Sequence, residues 1–399
     1  MPERSRRVPP WRLLPPPDPE LRLCVVIPVR DEARRLPAAL RALADQRERD
    51  GTPFDRRCFE VIVLANNCSD SSAAIVRSFA ARHQGLALHA VEVRFPTAVA
   101  HVGHARASLM EEACRRLESV GGGVIASTDG DTCVAGDWLA ETFAAVDAGA
   151  DAVGGRIRLG HDVGMPPTLA RIARRDELYQ RLRSRLEHMI DPDDADPWPR
   201  HHQHFGASLA LTSAAYRAVG GLPPIRFLED EALYQALRRH DLGVRHSELV
   251  AVTTSARRHG RVEVGYSWQL RRWSEQAVSC ADAEVDDPAP WVVLVALRRR
   301  LRRAWSAQRV AGRAAPTPAT RAALMALAGR HALPGPWLLR ELRRAESFGV
   351  LWQAVERRWH ESREPTAVPM REAIASLRAL IARRASRTGR AGSSPRAGR

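Results

Sequence analysis

The sequence predicts an α/β fold, in which helices flank a doubly wound, mostly parallel sheet. From Leu21 onward, short apolar runs alternate with segments whose apolar residues recur at helical spacing, and this alternation is typical of parallel sheets. Hydrophobic residues make up 45% of the chain and charged residues 27%, which suits a packed globular protein. With 399 residues, the chain is long enough for one large domain or two ordinary ones.

Four pairs of a strand and a helix follow one another in the first part of the chain. The predicted strands are LRLCVVIPV, FEVIVLAN, LALHAVEV and GGVIASTDGD, and the helices that follow them are ARRLPAALRALADQ, SSAAIVRSFAARH, HARASLMEEACRRLES and DWLAETFAAVDAG. Further along, DAVGGRIRL and VAVTTSARR are predicted strands, whereas PTLARIARRDELYQRLRSRLEHMI is a long polar helix.

The composition divides the chain into four predicted segments. Residues 1–20 are a disordered lead rich in Pro and Arg, and residues 21–280 form the α/β domain. A helical, Arg-rich extension of unknown purpose covers residues 281–385, and a low-complexity, disordered tail covers residues 386–399.

Charge and cysteine content exclude several functional classes. The formal net charge is +15, and all 61 basic residues are Arg, so chemistry that needs a Schiff-base or P-loop lysine is excluded. The six cysteines lack C-x-x-C spacing, which argues against a zinc site or a disulfide framework and favours a reducing compartment. The first residues lack the apolar core of a signal peptide, and no run is long enough to span a membrane. We therefore expect a cytoplasmic protein.

Polar clusters follow three of the predicted strands. They are Val29–Glu32, Asn66–Asp70 and the pair Asp129 and Asp131. In doubly wound sheets, ligands bind beyond the carboxyl ends of the strands. Two aspartates one residue apart repel each other unless a cation lies between them, although a polar turn would also explain the Asp-Gly sequence. The sequence thus predicts a ligand site at this edge, with a bound cation.

The order of these motifs resembles the family 2 glycosyltransferases with the GT-A fold. The matching pieces are VVIPVRDEARRLPAAL, VIVLANNCSDSS, GHARA, TDGD, and GASLALTSAAYRAVGGLPP followed by LEDEAL. They extend from about Leu21 to Leu270. The resemblance implies a nucleoside-diphosphate sugar donor, Mn²⁺ or Mg²⁺ as the cofactor, and transfer of the sugar to an acceptor hydroxyl.

The resemblance also implies roles for residues near the donor diphosphate. Asp131 would bind the metal directly, while Asp129 would contact the ribose or a metal-bound water. A divalent cation neutralises the charge that grows on the leaving diphosphate, and carboxylate oxygens suit such hard cations. Arg106 would add a fixed positive charge near the diphosphate.

For the nucleotide base, the resemblance implies four binding residues, which are Pro28, Glu32, Asn66 and Asp70. The sequence departs from the family pattern nearby, since Asp31 stands where Asn is usual and Ala65 where many members carry Asp. The identity of the base therefore stays open.

Glu229 and Asp230 are the implied catalytic pair. In an inverting transfer a carboxylate deprotonates the acceptor hydroxyl, and the second acid, Asp230, is the usual base of the family. Both residues also begin a predicted helix, where acidic side chains stabilise the N-terminal dipole. The two interpretations are compatible.

Several alternatives remain open at this point. The mechanism could be retaining, with the same metal and no need for Asp230 as a base. His201, His202 and His204 could line the acceptor site or bind a metal, and His259 could complete a metal site. The acceptor could be a small molecule, a lipid or a glycan. A basic protein could instead bind nucleic acid, which we do not expect because no recognition motif is present. The C-terminal basic helices could contact a membrane surface.

Overall fold

A computed structural model describes residues 11, 14–160, 166–255, 272–273, 282–310 and 317–391. The chain divides into two compact units. The sheet unit consists of Met1–Met165, Gln203–Leu237 and Leu242–Arg271, and the helical unit consists of Pro166–His202, Arg238–Asp241 and Arg272–Arg399.

The sheet unit is built on an eight-stranded sheet in the order β3-β2-β1-β4-β7-β6-β8-β5. Its strands are β1 Leu23–Val29, β2 Phe59–Asn66, β3 Ala87–Val93, β4 Val124–Ser127, β5 Thr132–Val134, β6 Ala152–Leu159, β7 Leu209–Thr212 and β8 Val244–Thr254. The pairings β1 with β2, β1 with β4, β2 with β3 and β6 with β8 are parallel. Strand β7 runs antiparallel to both neighbours, and β5 is antiparallel to β8. The predicted doubly wound, mostly parallel sheet is confirmed.

Two apolar layers cover the two faces of this sheet. The helices of the unit are α1 Leu36–Ala44, α2 Ser72–Arg82, α3 Val102–Glu118, α4 Trp138–Asp147, α6 Ser213–Ala218 and α7 Glu229–Arg239, the last of which ends in the helical unit. Side chains of α1, α2 and α4 pack in one core cluster, and those of α3, α6 and α7 pack in the other. Because side chains alternate along a strand, β1 gives Val25 to the first cluster and Val26 to the second.

Described residues of the predicted N-terminal lead contact the sheet unit. Trp11 and Leu14 pack against the cluster that contains α3. Arg116 of α3 donates a hydrogen bond to the carbonyl of Pro15 at 2.9 Å. The disordered lead over residues 1–20 stays a prediction, to which these contacts add the places where the chain touches α3.

The helical unit contains the long helix α5 Pro167–Ile190 and the C-terminal helices. These are α8 Pro288–Val310, α9 Pro318–Arg330, α10 Gly335–Arg344, α11 Phe348–Glu361 and α12 Met370–Ala391, with a two-stranded sheet of β9 Glu284–Asp286 and β10 Ala367–Pro369. Helix α12 continues past residue 386, where the sequence predicts the tail to begin. The predicted boundary at residue 280 lies outside the described residues. Among those that are described, no helix combines the length and apolar character needed to cross a bilayer.

Buried ion pairs and stacked arginines hold this unit together. Arg298 donates to Asp191 at 2.6 Å and to Glu187 at 2.8 Å. The guanidinium of Arg183 lies 4.7 Å from the ring centroid of Trp291, and that of Arg363 lies 3.5 Å from that of Trp359. These three arginines are thus in cation–π contacts and ion pairs, which stabilise helix packing.

Candidate active site

The ends of three neighbouring strands bring the predicted polar residues to one edge of the sheet. The order β2-β1-β4 and the parallel pairings put the residues after each of these strands side by side. Glu32 follows β1, Asn66 ends β2, and Asp129 follows β4. The sequence prediction of a shared edge therefore agrees with the topology.

Two loops at this edge are joined by carboxylates. One oxygen of Asp31 accepts hydrogen bonds from the backbone N–H of Ser69 at 2.6 Å and of Asp70 at 3.2 Å. In return, Asp70 accepts from the N–H of Ala33 at 2.9 Å and from the hydroxyl of Ser72 at 2.6 Å. The N–H of Ser69 lowers the pKa of the Asp31 carboxyl, outweighing partial burial. These contacts fix the loop after β1 to the loop after β2.

Asp31 and Asp70 also belong to a cluster of side chains that could serve as metal ligands. Among the described residues, Asp31, Cys68 and Asp70 are the three whose ligand atoms lie within 4.8 Å of one another. Both carboxylates already accept backbone N–H groups, as described above, and Cys68 accepts from the N–H of Asp31 at 3.4 Å. The cluster is therefore explained by loop attachment. Asp31, which the sequence marks only as a departure from the family pattern, is central to it.

Of the four residues predicted for the nucleotide base, two are buried and two are more exposed. Asn66 is 3% exposed and Glu32 is 6% exposed, whereas Pro28 is half-buried and Asp70 is exposed. The Oδ1 atom of Asn66 is buried and makes no hydrogen bond within the described part of the chain. A buried acceptor without a partner is costly, so this position is suited to a ligand that supplies an N–H.

Arg106 joins two of the predicted motifs. It lies on α3 with 4% of its surface exposed. One terminal nitrogen donates to Asp129 at 2.6 Å, and the other forms a buried hydrogen bond with Glu229. Burial by itself would lower the pKa of this guanidinium, but the negative charges of Asp129, Glu229 and Asp230 outweigh it and raise the pKa. The Nε atom of Arg106 has no partner among the described residues.

Gly206 lets this guanidinium approach the backbone. A Cβ atom built on Gly206 would lie 2.4 Å from Cζ of Arg106, a distance that no side chain at this position could have. The carbonyl of Gly206 accepts from the hydroxyl of Ser127 at 3.0 Å, and its N–H donates to Asp230 at 2.8 Å. The residue thus contacts the end of β4, the arginine and one member of the acidic pair.

The acidic pair at the start of α7 occupies two different environments. Glu229 is 4% exposed and is bound by Arg106, whereas Asp230 is half-buried. Burial raises the pKa of the Glu229 carboxyl, and Arg106 opposes that rise while the charge of Asp230 adds to it. Asp230 accepts from the backbone N–H groups of Gly206 and Glu231, each at 2.8 Å. These two bonds orient its carboxylate and leave lone pairs on both oxygens.

The boundary between the two units falls among the predicted histidines. His201 and His202 belong to the helical unit, whereas His204 belongs to the sheet unit. There, Nε2 of His204 lies 2.6 Å from a carboxylate oxygen of Glu231, and its ring stacks on Tyr234 with centroids 3.8 Å apart. These contacts, which the sequence did not predict, attach the segment before Gly206 to α7. His259 lies outside the described residues.

Asp129 and Asp131 carry the oxygen ligands that a hard divalent cation needs. One oxygen of Asp129 is bound by Arg106, and its side chain is still 34% exposed. Asp131 is half-buried in the same loop. Within the described ranges, no group of three protein ligands includes them. The donor set therefore fits a cation that takes most of its other ligands from a bound diphosphate and water.

Comparison with known proteins agrees with the sequence motifs. Residues 24–207 match the family model described as Glycosyl transferase family 2. The mannosyltransferase PcManGT from Pyrobaculum calidifontis, solved with GDP-Man and Mn²⁺, is similar at 17% identity and a TM-score of 0.42, over 94% of this chain and 90% of that one. TarS residues 1–349 from S. aureus are similar at 16% identity and a TM-score of 0.40, over 86% and 92%. Curated proteins give no match.

The two solved structures are too distant to bear on the substrate of this chain. The family match, by contrast, covers the three strand-end clusters, Arg106 and both aspartates of the TDGD motif. The chain is thus a glycosyltransferase, whose residues 24–207 form a glycosyl transferase family 2 domain.

Proposed function

We propose that the enzyme transfers a sugar from a nucleoside diphosphate to an acceptor hydroxyl with inversion at the anomeric carbon, and that a divalent cation assists. The observation that carries this proposal is the buried contact of Arg106 with both Asp129 and Glu229. It connects the motif proposed for the donor diphosphate to the pair proposed for the acceptor. A transferase needs both substrates at one centre, because the hydroxyl must attack as the diphosphate leaves.

Arg106 is suited to stabilise the leaving diphosphate. Its charge is fixed by three acidic neighbours, and its position is fixed by two ion pairs, so little reorganisation is needed when negative charge develops on the phosphate. Its Nε atom, which has no partner among the described residues, provides one further donor in the buried site. Guanidinium groups bind phosphate through several parallel N–H donors.

We propose that Asp131 and Asp129 hold Mn²⁺ or Mg²⁺. When bound there, the cation supplies Lewis-acid stabilisation of the departing diphosphate. The chain contributes an oxygen-only donor set in a loop that follows a fully buried strand, β4. Because Asp129 also binds Arg106, the same carboxylate orients the guanidinium beside the proposed cation.

Asp230 is the better base of the two acids. It is half-buried, and its oxygens are oriented by backbone N–H donors. It can accept the proton of the acceptor hydroxyl as the new glycosidic bond forms. Glu229 is buried against Arg106, so we assign it a positioning role, in which it keeps the guanidinium between the two motifs.

The donor half of the proposal is tested by titrating UDP and GDP, each with and without Mn²⁺. We expect one nucleotide to bind in the presence of metal, and Asp131→Asn to remove the metal-dependent part. Asp137→Asn is the control, because Asp137 is an exposed aspartate whose side chain does not cap its helix. Metal-dependent affinity that survives in Asp131→Asn contradicts the metal assignment.

The acceptor half is tested with Asp230→Asn. We expect normal nucleotide binding and a loss of transfer of about 10³-fold or more, because a general base and its orientation are both lost. Transfer at the wild-type rate would exclude Asp230 as the base. NMR assignment of the product anomer then separates inversion from retention. The predicted cytoplasmic location and peripheral membrane contact through the C-terminal helices stay predictions.

A further inference from the structure

Three large apolar side chains are exposed on the segments that surround Asp230. Phe205 is 37% exposed, Ile225 is 42% exposed and Leu228 is 52% exposed. We call these three residues the apolar trio. In the described part of the sheet unit, the other large hydrophobic residue with comparable exposure is Leu249, on β8. Scattered exposed hydrophobes need no explanation, but three on the segments next to a proposed catalytic residue do.

Backbone contacts bring each member of the trio close to the acidic pair. Phe205 precedes Gly206, whose N–H donates to Asp230 at 2.8 Å. Leu228 immediately precedes Glu229 in the chain. A Cβ atom built on Gly103 would lie 1.8 Å from the carbonyl oxygen of Ile225 and 3.5 Å from Cβ of Glu229, so the backbone of Ile225 reaches the same place.

Leu228 is in an unfavourable backbone conformation. Its φ is +57°, a region that glycine and asparagine adopt at much lower cost than other residues. The side chain recovers little of that cost by burial, since half of its surface is exposed. Folding alone would therefore favour Asn or Gly here. An exposed leucine at a strained position beside the proposed base is better explained by contact with a ligand.

We propose that the trio binds the hydrocarbon part of an amphiphilic acceptor, whose hydroxyl reaches Asp230. The inference rests on the proposed function, because the trio is assigned to the acceptor through its closeness to the base. The hydroxyl must lie at Asp230 for deprotonation, and Phe205, Ile225 and Leu228 are the exposed apolar residues on the segments next to the acidic pair. A purely polar glycan would leave these surfaces without an apolar partner.

The experiment compares binding of methyl and n-octyl β-D-glucopyranoside, both below the micelle-forming concentration of the octyl compound. Titrations use the full chain with Mn²⁺ and the preferred nucleoside diphosphate. We expect the octyl compound to bind at least tenfold more tightly, because each buried methylene contributes about fourfold. We expect Leu228→Asn and Ile225→Ser to remove most of that difference.

Leu249→Asn is the matched control, since it removes an exposed leucine of the same unit that lies on β8 and not on a segment next to the acidic pair. Leu228→Asn relieves the backbone strain, so its melting temperature should equal or exceed that of the wild type, and lost binding cannot be ascribed to misfolding. Equal binding of the two glucosides by the wild type overturns the proposal. So does a loss of octyl preference in Leu249→Asn as large as that in Leu228→Asn.

Nucleotide binding separates failure of this inference from failure of the proposed function. Metal-dependent nucleotide binding without any preference for the octyl chain contradicts the apolar acceptor alone and favours a polar glycan. Octyl preference that depends on Leu228, in a protein that binds neither UDP nor GDP, contradicts the assignment of the trio to an acceptor.

Discussion

Helix α3 buries two arginines near its opposite ends, and they are paired in different ways. Arg116 is 2% exposed and Arg106 is 4% exposed. Arg116 donates to both oxygens of Glu60, at 2.7 and 2.6 Å, and to the carbonyl of Pro15, so each of its nitrogens has a partner. Arg106 divides its two terminal nitrogens between acids from different segments and leaves Nε without a partner among the described residues.

The pKa values of the two partner carboxylates, Glu60 and Glu229, shift in opposite directions. Burial alone would raise the pKa of Glu60, but hydrogen bonds from Arg116 and His89 outweigh it and lower the pKa to about 2. Burial does raise the pKa of Glu229, because its arginine is shared with Asp129 and Asp230 lies next to it. The saturated pair has no donor left for a ligand, whereas the shared arginine matches the role in diphosphate binding that we propose for it. Burial of an ion pair therefore does not by itself distinguish a binding residue from a structural one, and the pairing of each nitrogen has to be compared.

The largest expected effect is loss of stability in Arg116→Gln. Removing this arginine leaves Glu60 buried without its main partner, which costs about 3–5 kcal/mol. The free energy of unfolding in denaturant measures it. Arg77→Gln is the control, since Arg77 pairs with Glu92 and the two side chains are 57% and 54% exposed, and it should change stability by less than about 1 kcal/mol.

The double variant Glu60→Leu with Arg116→Leu sharpens this result. We expect it to recover most of the stability, because apolar residues can replace a buried ion pair at little cost. A single variant Arg116→Gln as stable as Arg77→Gln would remove the distinction between the two ends of the helix.

The next effect is loss of activity in Arg106→Gln. We expect transfer to fall by about 10²–10³-fold, comparable to removal of one preorganised charge donor. The loss of stability should be smaller than in Arg116→Gln, since Asp129 is 34% exposed and Glu229, with its raised pKa, can take up a proton. Arg77→Gln serves as the control, because Arg77 makes an exposed ion pair with Glu92. Full activity in Arg106→Gln would place Arg106 with Arg116 as a structural residue.

The smallest effect is a pH dependence of stability that comes from Glu60. Its pKa falls from 4.5 to about 2 on folding, so the unfolded state binds the proton more readily. The stabilisation is fully present above about pH 4.5 and is lost as the pH falls toward 2, by at most about 3 kcal/mol. Between pH 5 and 2, the free energy of unfolding should fall more steeply for the wild type than for the double variant Glu60→Leu with Arg116→Leu. The same pH dependence in both proteins would contradict the strong pairing of Glu60.

The sequence predicts those structural features that depend on residues close together in the chain. Apolar runs such as Leu23–Val29 and the polar residues that follow them are local signals, and the strand ends were therefore correctly located. The pairing of Arg106 with Glu229 spans 123 positions, and nothing local in either motif specifies it. The same limit applies to α5, whose helical pattern is clear but whose partners in the helical unit depend on packing.

Antiparallel β7 illustrates a further limit. Its four residues, Leu209–Thr212, insert between β4 and β6, although the run is too short for periodicity to reveal a strand. The attachment of Asp31 to the loop after β2 is also non-local, since it connects residues 38 positions apart.

Gly206 has a consequence for how this centre can be probed. The hydroxyl of Ser127 holds its carbonyl, Asp230 holds its N–H, and Arg106 lies over its Cα. The motifs that we propose for donor and acceptor are thus connected through a main chain that has no side chain to remove. Scanning with alanine would insert a methyl group here instead of deleting a contact, and would report a clash. Replacing the amide N–H with an ester oxygen would delete the single bond to Asp230 and leave the shape unchanged.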